Sequence, residues 1–357
     1  IWWAWMNFTW FASAFDTDDV PYRLKVLVQM VGLLIIAAGV KRAFEADDFR
    51  VVTIGYAVMR VGLIAQWLRA ARIGSHRPTA LRYAIGLAIV QVGWISLAFG
   101  GWPGALIVWC ILAVAELAVP VFAERAAPTP WHAGHIAERY GLLTIIVIGE
   151  SVLAGIIAIQ TAFDSGHLEA GLIVGIAGIP VILFAMWWLY FLQPSLFGSS
   201  NNRLGWVWSY GHFFIFGAIA AVGAALAVNV DFLLHTAHMS GAAAGLVLAI
   251  PVAVYLVCLW LAAMAATKRA SMEFPVAIGL CVAAAYLPGT VGIIAVILAG
   301  LTAYRVKLSQ TPRAEWPAKG VKRLISSFCR GSACLGSPLH SGRRQATPLP
   351  QPAADGG

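Results

Sequence analysis

Residues 141–162 read GLLTIIVIGESVLAGIIAIQTA, a run in which Glu150 is the only charged position. At a rise of about 1.5 Å per residue this segment is roughly as long as the ~30 Å hydrocarbon core of a bilayer is thick. In lipid each backbone N–H and C=O must find its partner inside the segment, so an isolated apolar run of this length is a helix. The same ruler finds further runs at residues 22–40, 49–68, 81–99, 103–122, 169–192, 206–230 and 243–266, with an incomplete one at 1–15. The last apolar stretch, 274–304, is long for one span and short for two, and Pro288-Gly289 near its middle predicts a tight turn that divides it. The expected fold is an all-α polytopic transmembrane bundle of about ten or eleven spans over residues 1–308.

Composition agrees with that solvent. Apolar residues make up 60% of the chain and charged residues 11%, against roughly 25% charged in a soluble domain. A soluble chain of 357 residues would still need a polar surface, whereas a bundle can turn Leu, Ile and Val toward lipid. The net charge of +8 sits in short loops and at the C-terminal end, without interleaved aromatics, so it reads as topology and not as nucleic-acid binding. Arg23, Lys25, Arg69, Arg72, Arg77, Arg82, Arg125, Arg139, Arg203, Lys268 and Arg269 fall in one set of alternate loops; the opposite set holds Lys41, Arg42 and Arg50. The first set is expected on the cytoplasmic side of the membrane. Dividing the last stretch at Pro288 puts the basic C-terminal segment there as well. Residues 309–357 turn rich in Ser, Pro, Gly and Arg and read as a disordered tail. Residue 1 is Ile within an aromatic run, with no initiator Met, and the expectation is a chain truncated at its start. The five cysteines are scattered and form no zinc-type pair.

An ionisable side chain deep in a span costs about 3 kcal/mol or more on insertion scales, so it needs a partner or a wet cavity. Arg60, Glu116 and Glu150 are such residues. All three fall roughly 9–14 Å from the inner boundary, which predicts an intramembrane charged cluster. Two readings stay open: an ion pair that fixes helix register, or a relay for protons or cations. Leading into the 141–162 run, His135, Glu138 and Arg139 share a helical face with Glu150 and form an interfacial stripe. It is either a proton path or a charged helix start. Asp16, Asp18 and Asp19, followed by Pro21, make an acidic loop that reads as an N-cap for the next helix. Asp231, His235 and His238 at i, i+4 and i+7 would converge as metal ligands if their helix continued to 238. The tryptophans, among them Trp2, Trp3, Trp5, Trp10, Trp187 and Trp188, are expected as interfacial anchors, and Gly171, Gly175 and Gly178 as points of close helix packing. P-loop, HExxH, GxSxG and dinucleotide motifs are all missing. Only His212 lies well inside a span, so no bis-histidine haem and no other cofactor is expected.

The segments WWAWMNFTWFASAFDTDD (2–19), PYRL (21–24), HIAERYGLLTIIVIGES (135–151) and WVWSYGH (206–212) together resemble the bacterial low temperature requirement A membrane proteins. The resemblance covers roughly residues 1–305, and its central segment carries His135, Glu138, Arg139, Gly141, Gly149 and Glu150. It implies a multi-pass protein of the cytoplasmic membrane, named for growth in the cold and so linked to stress, without fixing a molecular activity. Residue chemistry adds the expectation of a secondary transporter or channel-like protein. Its partners would be the lipid bilayer and a proton, ion or small solute; the oligomeric state is not legible. The alternatives are a membrane-embedded enzyme acting on lipid-type substrates and a non-catalytic membrane protein.

Overall fold

The computed structural model describes residues 1–72, 76–164, 166, 169–193, 202–267 and 271–310. Among them are eleven helices and no strand: α1 (Trp2–Phe15), α2 (Val20–Ala46), α3 (Arg50–Ala70), α4 (Arg77–Phe99), α5 (Ala105–Glu124), α6 (Ala133–Asp164), α7 (Ala170–Phe191), α8 (Asn202–Leu233), α9 (Gly241–Thr267), α10 (Glu273–Ala284) and α11 (Thr290–Gln310). Nine are long and apolar enough to cross a membrane; α1 and α10, with 14 and 12 residues, are not. The protein is a multi-pass membrane protein. Its outward surface carries Leu34, Phe44, Leu106, Ile107, Val114 and Val296, each at least two thirds exposed. So much contiguous apolar area has lipid as its natural solvent.

Several helices outrun their apolar runs. α6 begins at Ala133 and α8 at Asn202, ahead of the apolar runs that start at 141 and 206. The 274–304 stretch divides at the turn through Pro288-Gly289: Gly289 adopts φ +75°, and Thr290 Oγ1 donates to the carbonyls of Ala284 and Leu287. The resulting α10–α11 hairpin is pinned at its open end by Arg305 Nη1 donating to Glu273 Oε1 at 2.7 Å. Its turn packs on α9 at Gly245, where any Cβ would fall 2.2 Å from the Ala285 carbonyl oxygen. Arg305 is thus 5% exposed inside the bundle. α11 continues through Gln310, and the remainder of the expected tail lies outside the described residues.

Two groups of helices result. α2 packs on α3, α3 on α4 and α4 on α5, while α6–α11 share a second core built on Ile182, Met186, Ile219, Val222, Leu256 and Leu298. α2 and α3 approach backbone to backbone: a Cβ on Gly32 would lie 2.5 Å from the Met59 nitrogen, and one on Gly55 2.6 Å from the Ile36 nitrogen. The short α1 is wedged where the groups meet. Phe11 joins the first core beside Trp67 and Leu63, and Met6 and Trp10 join Ile136, Tyr140 and Phe216 of the second. Its tryptophans therefore face inward instead of anchoring in headgroups: Trp10 stacks on Trp206 with ring centroids 5.1 Å apart, and Trp5 Nε1 donates to the Arg139 carbonyl at 3.2 Å. Trp187 and Trp188 remain exposed. Gly175 and Gly178 receive Leu233 and Val291, whereas Gly171 has open space.

Candidate functional site

Arg60 sits on α3 and Glu116 on α5, and they meet as a buried ion pair with side chains 1% and 6% exposed. Arg60 Nη2 donates to Glu116 Oε1 and to the Tyr56 hydroxyl oxygen, and Tyr56, one helical turn before Arg60, donates to the same carboxylate oxygen. The guanidinium also lies 4.8 Å from the Tyr56 ring centroid. Two indoles complete the shell: Trp3 Nε1 of α1 donates to Oε1 at 2.9 Å and Trp94 Nε1 of α4 to Oε2 at 2.6 Å. Four donors from three helices hold one carboxylate. Such a shell fixes the carboxylate in place. Arg60 Nη1 has no partner among the described residues, so Glu116 carries most of the compensation for a charge taken out of water. Pro120 adds a local cause, since it has no N–H to give to the Glu116 carbonyl four residues earlier. One residue on, the Leu117 carbonyl accepts from the Tyr210 hydroxyl of α8 at 2.8 Å. Trp3, expected as an interfacial anchor, instead serves the carboxylate, and Tyr56 and Trp94 were not singled out in the sequence; the signal available was Tyr56 at i−4 from a midspan Arg, and Trp94 well inside an apolar run.

Glu150 does not join them. It is exposed on the face of α6 that also presents Ile146, Leu153 and Ile157, and it forms no ion pair among the described residues. The arithmetic that set three charges at one depth fixes height along a helix but not direction around it. The stripe therefore splits, with Glu150 outside and Arg139 half-buried against α1.

The acidic loop is drawn into ion pairs. Asp19 Oδ1 accepts the Tyr22 N–H at 3.0 Å as N-cap of α2 and receives the Arg69 guanidinium at 2.7 Å. Arg69 and that backbone bond hold its carboxyl well below the usual aspartate range. Asp18 accepts both Nε and Nη2 of Arg23 at 3.0 and 2.9 Å, which likewise lowers its carboxyl. Asp16 is left with one backbone bond, from the Asp18 N–H.

Asp16 then becomes part of a cleft. A cavity of about 420 Å³ is lined by Ala12, Ser13 and Asp16 from the end of α1 and by His135, Glu138 and Arg139 from the start of α6. A second, of about 450 Å³, shares Asp16 and Arg139 and is otherwise lined by Phe8, Tyr22, Arg23, Val26 and Leu27. Asp16 of the expected acidic loop and the interfacial stripe, far apart in sequence, thus line one opening. The metal reading fails at the other end: α8 stops at Leu233 and His235 adopts φ +58°. The i, i+4, i+7 spacing is lost there. Among the described residues no three His, Cys, Asp or Glu side chains are placed to hold a metal ion. His212 is committed too. Its Nδ1 can only donate to the Trp208 carbonyl (2.7 Å), leaving Nε2 to accept from the Tyr190 hydroxyl (2.9 Å).

The model of the bacterial low temperature requirement A protein (LtrA) family matches residues 1–308, most of the chain. The chain belongs to the LtrA family. This LtrA protein is also 25% identical, over 259 residues, to an uncharacterised protein of Rhizobium meliloti (strain 1021), a match covering 68% of this chain and 61% of that relative. It therefore spans about three fifths of the length of that curated relative. No solved structure matches it. In the LtrA chain both the buried carboxylate and the cleft depend on α1, which gives Trp3 to one and Asp16 to the other.

Proposed function

We propose that this LtrA protein is a secondary transporter or channel-like protein, with the Arg60–Glu116 pair as its intramembrane anchor and the cleft between α1, α2 and α6 as the place where its solute enters. The observation that carries the reading is the cleft: charges of both signs from two distant segments line one cavity where two helix groups meet, the usual setting of a ligand site. Glu116, saturated by four donors, is a positioning group that ties α1 to α3, α4 and α5. The groups that meet the solute are Asp16, Glu138 and Arg139. The loop-charge asymmetry supports a cytoplasmic position for this opening.

The test is flux in proteoliposomes, read with an entrapped pH-sensitive dye under an imposed potential while small ions and zwitterions are added in turn. A charge-assisted hydrogen bond contributes about 1.5–3 kcal/mol, so Arg139→Ala and Glu138→Gln should each lower solute-dependent flux about tenfold or more. Wild-type vesicles that move nothing beyond protein-free controls, or variants that transport at the wild-type rate, refute the proposal.

A further inference from the structure

Among the described residues, three charged side chains around the cleft have no counter-ion: Arg139 and Glu138 form no ion pair there and Asp16 makes one backbone bond, while Arg23 at the edge is already neutralised by Asp18. A simple anion would meet two carboxylates here. A simple cation would meet an uncompensated guanidinium. The complementary ligand carries both signs, an ammonium for Asp16 and Glu138 and an anionic oxygen group for Arg139.

The second lobe adds the rest of the chemistry. Phe8, Val26 and Leu27 line it beside Arg139, and Leu27 is 53% exposed on the outer side of α2. An apolar wall that begins next to a guanidinium and runs out to the lipid-facing surface suits a molecule whose charged head stays in the cleft while its hydrocarbon leaves into the bilayer. We propose that the cleft binds the headgroup of a zwitterionic phospholipid bearing a primary ammonium, the phosphodiester on Arg139 and the ammonium between Asp16 and Glu138. A primary ammonium is selected over a quaternary one because it has N–H groups to give to the two carboxylates. The inference rests on the reading of the cleft as the ligand entrance and names the class of ligand.

The experiment is thermal unfolding of the full chain in detergent, titrated with phosphatidylethanolamine, phosphatidylcholine, phosphatidylglycerol and soluble phosphoethanolamine, with native mass spectrometry counting retained lipid. Phosphatidylethanolamine should raise Tm by about 3–6 °C at saturation and exceed the other two lipids. Arg139→Ala should abolish the response, Arg139→Lys should retain part of it, and Glu138→Gln should remove the preference over phosphatidylglycerol. Equal responses to all three lipids, or an undiminished response in Arg139→Ala, overturn the proposal. So does soluble phosphoethanolamine acting as strongly as the lipid, which would make the occupant a free solute. Transport without lipid selectivity removes this inference alone; lipid selectivity without transport removes the transporter reading alone.

Discussion

Glu116 and Glu150 are carboxylates at similar depth with opposite surroundings, and substitution should separate them. Removing one member of a buried pair leaves the other uncompensated, at a cost of about 3–5 kcal/mol. Glu116→Gln should therefore unfold well below the wild type in a detergent denaturation series, and Arg60→Met with Glu116→Leu should recover part of the loss. Additive losses in that double-mutant cycle would show that the pair is not coupled. Glu150→Leu, on an outward face beside Ile146 and Leu153, should cost nothing and can stabilise, because an apolar side chain there avoids the ~3 kcal/mol of a charge in lipid. Asp19 contributes to the acid limb of stability. Its carboxyl is depressed in the folded protein by Arg69 and the Tyr22 N–H, so its contribution is complete above the unfolded value of about 3.9 and is lost as pH falls below it. Asp19→Asn should flatten the fall in Tm below about pH 4; an unchanged slope would remove Asp19 as a cause. The high cost of charge in lipid made Arg60 and Glu116 legible as partners in sequence. It could not exclude Glu150, since nothing in a depth count says which way a side chain points.

At the scale of helices, the tightest contacts are those with no side chain at all. Gly245 lets the α10–α11 turn reach the N-terminal turn of α9, with the Ala285 backbone occupying the space a Cβ would need. Gly245→Val should destabilise by roughly 1–3 kcal/mol through forced displacement of that turn. Gly279→Ala, on α10 with nothing within 4 Å, is the matched control and should be silent in the same unfolding assay; equal effects would show that the approach is not the cause. The spans themselves were readable because a continuous apolar run of membrane length has one solution in lipid. Their ends were less so, as at Ala133 and Leu233. Periodicity past a helix end means nothing, and for that reason Asp231, His235 and His238 do not gather. Glycine packing was only partly readable: Gly175 and Gly178 face neighbours, but nothing in the sequence distinguishes them from Gly171 or marks Gly32, Gly55 and Gly245.

Across the whole molecule, the two helix groups have separate cores, and among the described residues α1 packs on both, touching α3 on one side and α6 and α8 on the other. The Tyr210 hydroxyl also ties the groups directly through its hydrogen bond to the Leu117 carbonyl. Packed interfaces of this kind shift between discrete arrangements instead of deforming smoothly, and a transporter working by such a shift needs the groups to move against each other. Replacing Leu117 and Tyr210 with cysteine in a chain freed of its native cysteines, then joining them with a short reducible cross-linker, ties α5 to α8. Solute flux should stop on linking and return on reduction, while an equivalent link within one group, between α8 and α9, should leave it intact. If the α5–α8 link leaves flux unchanged, the groups do not move relative to each other during transport, and conduction would have to proceed through a fixed path beside α1.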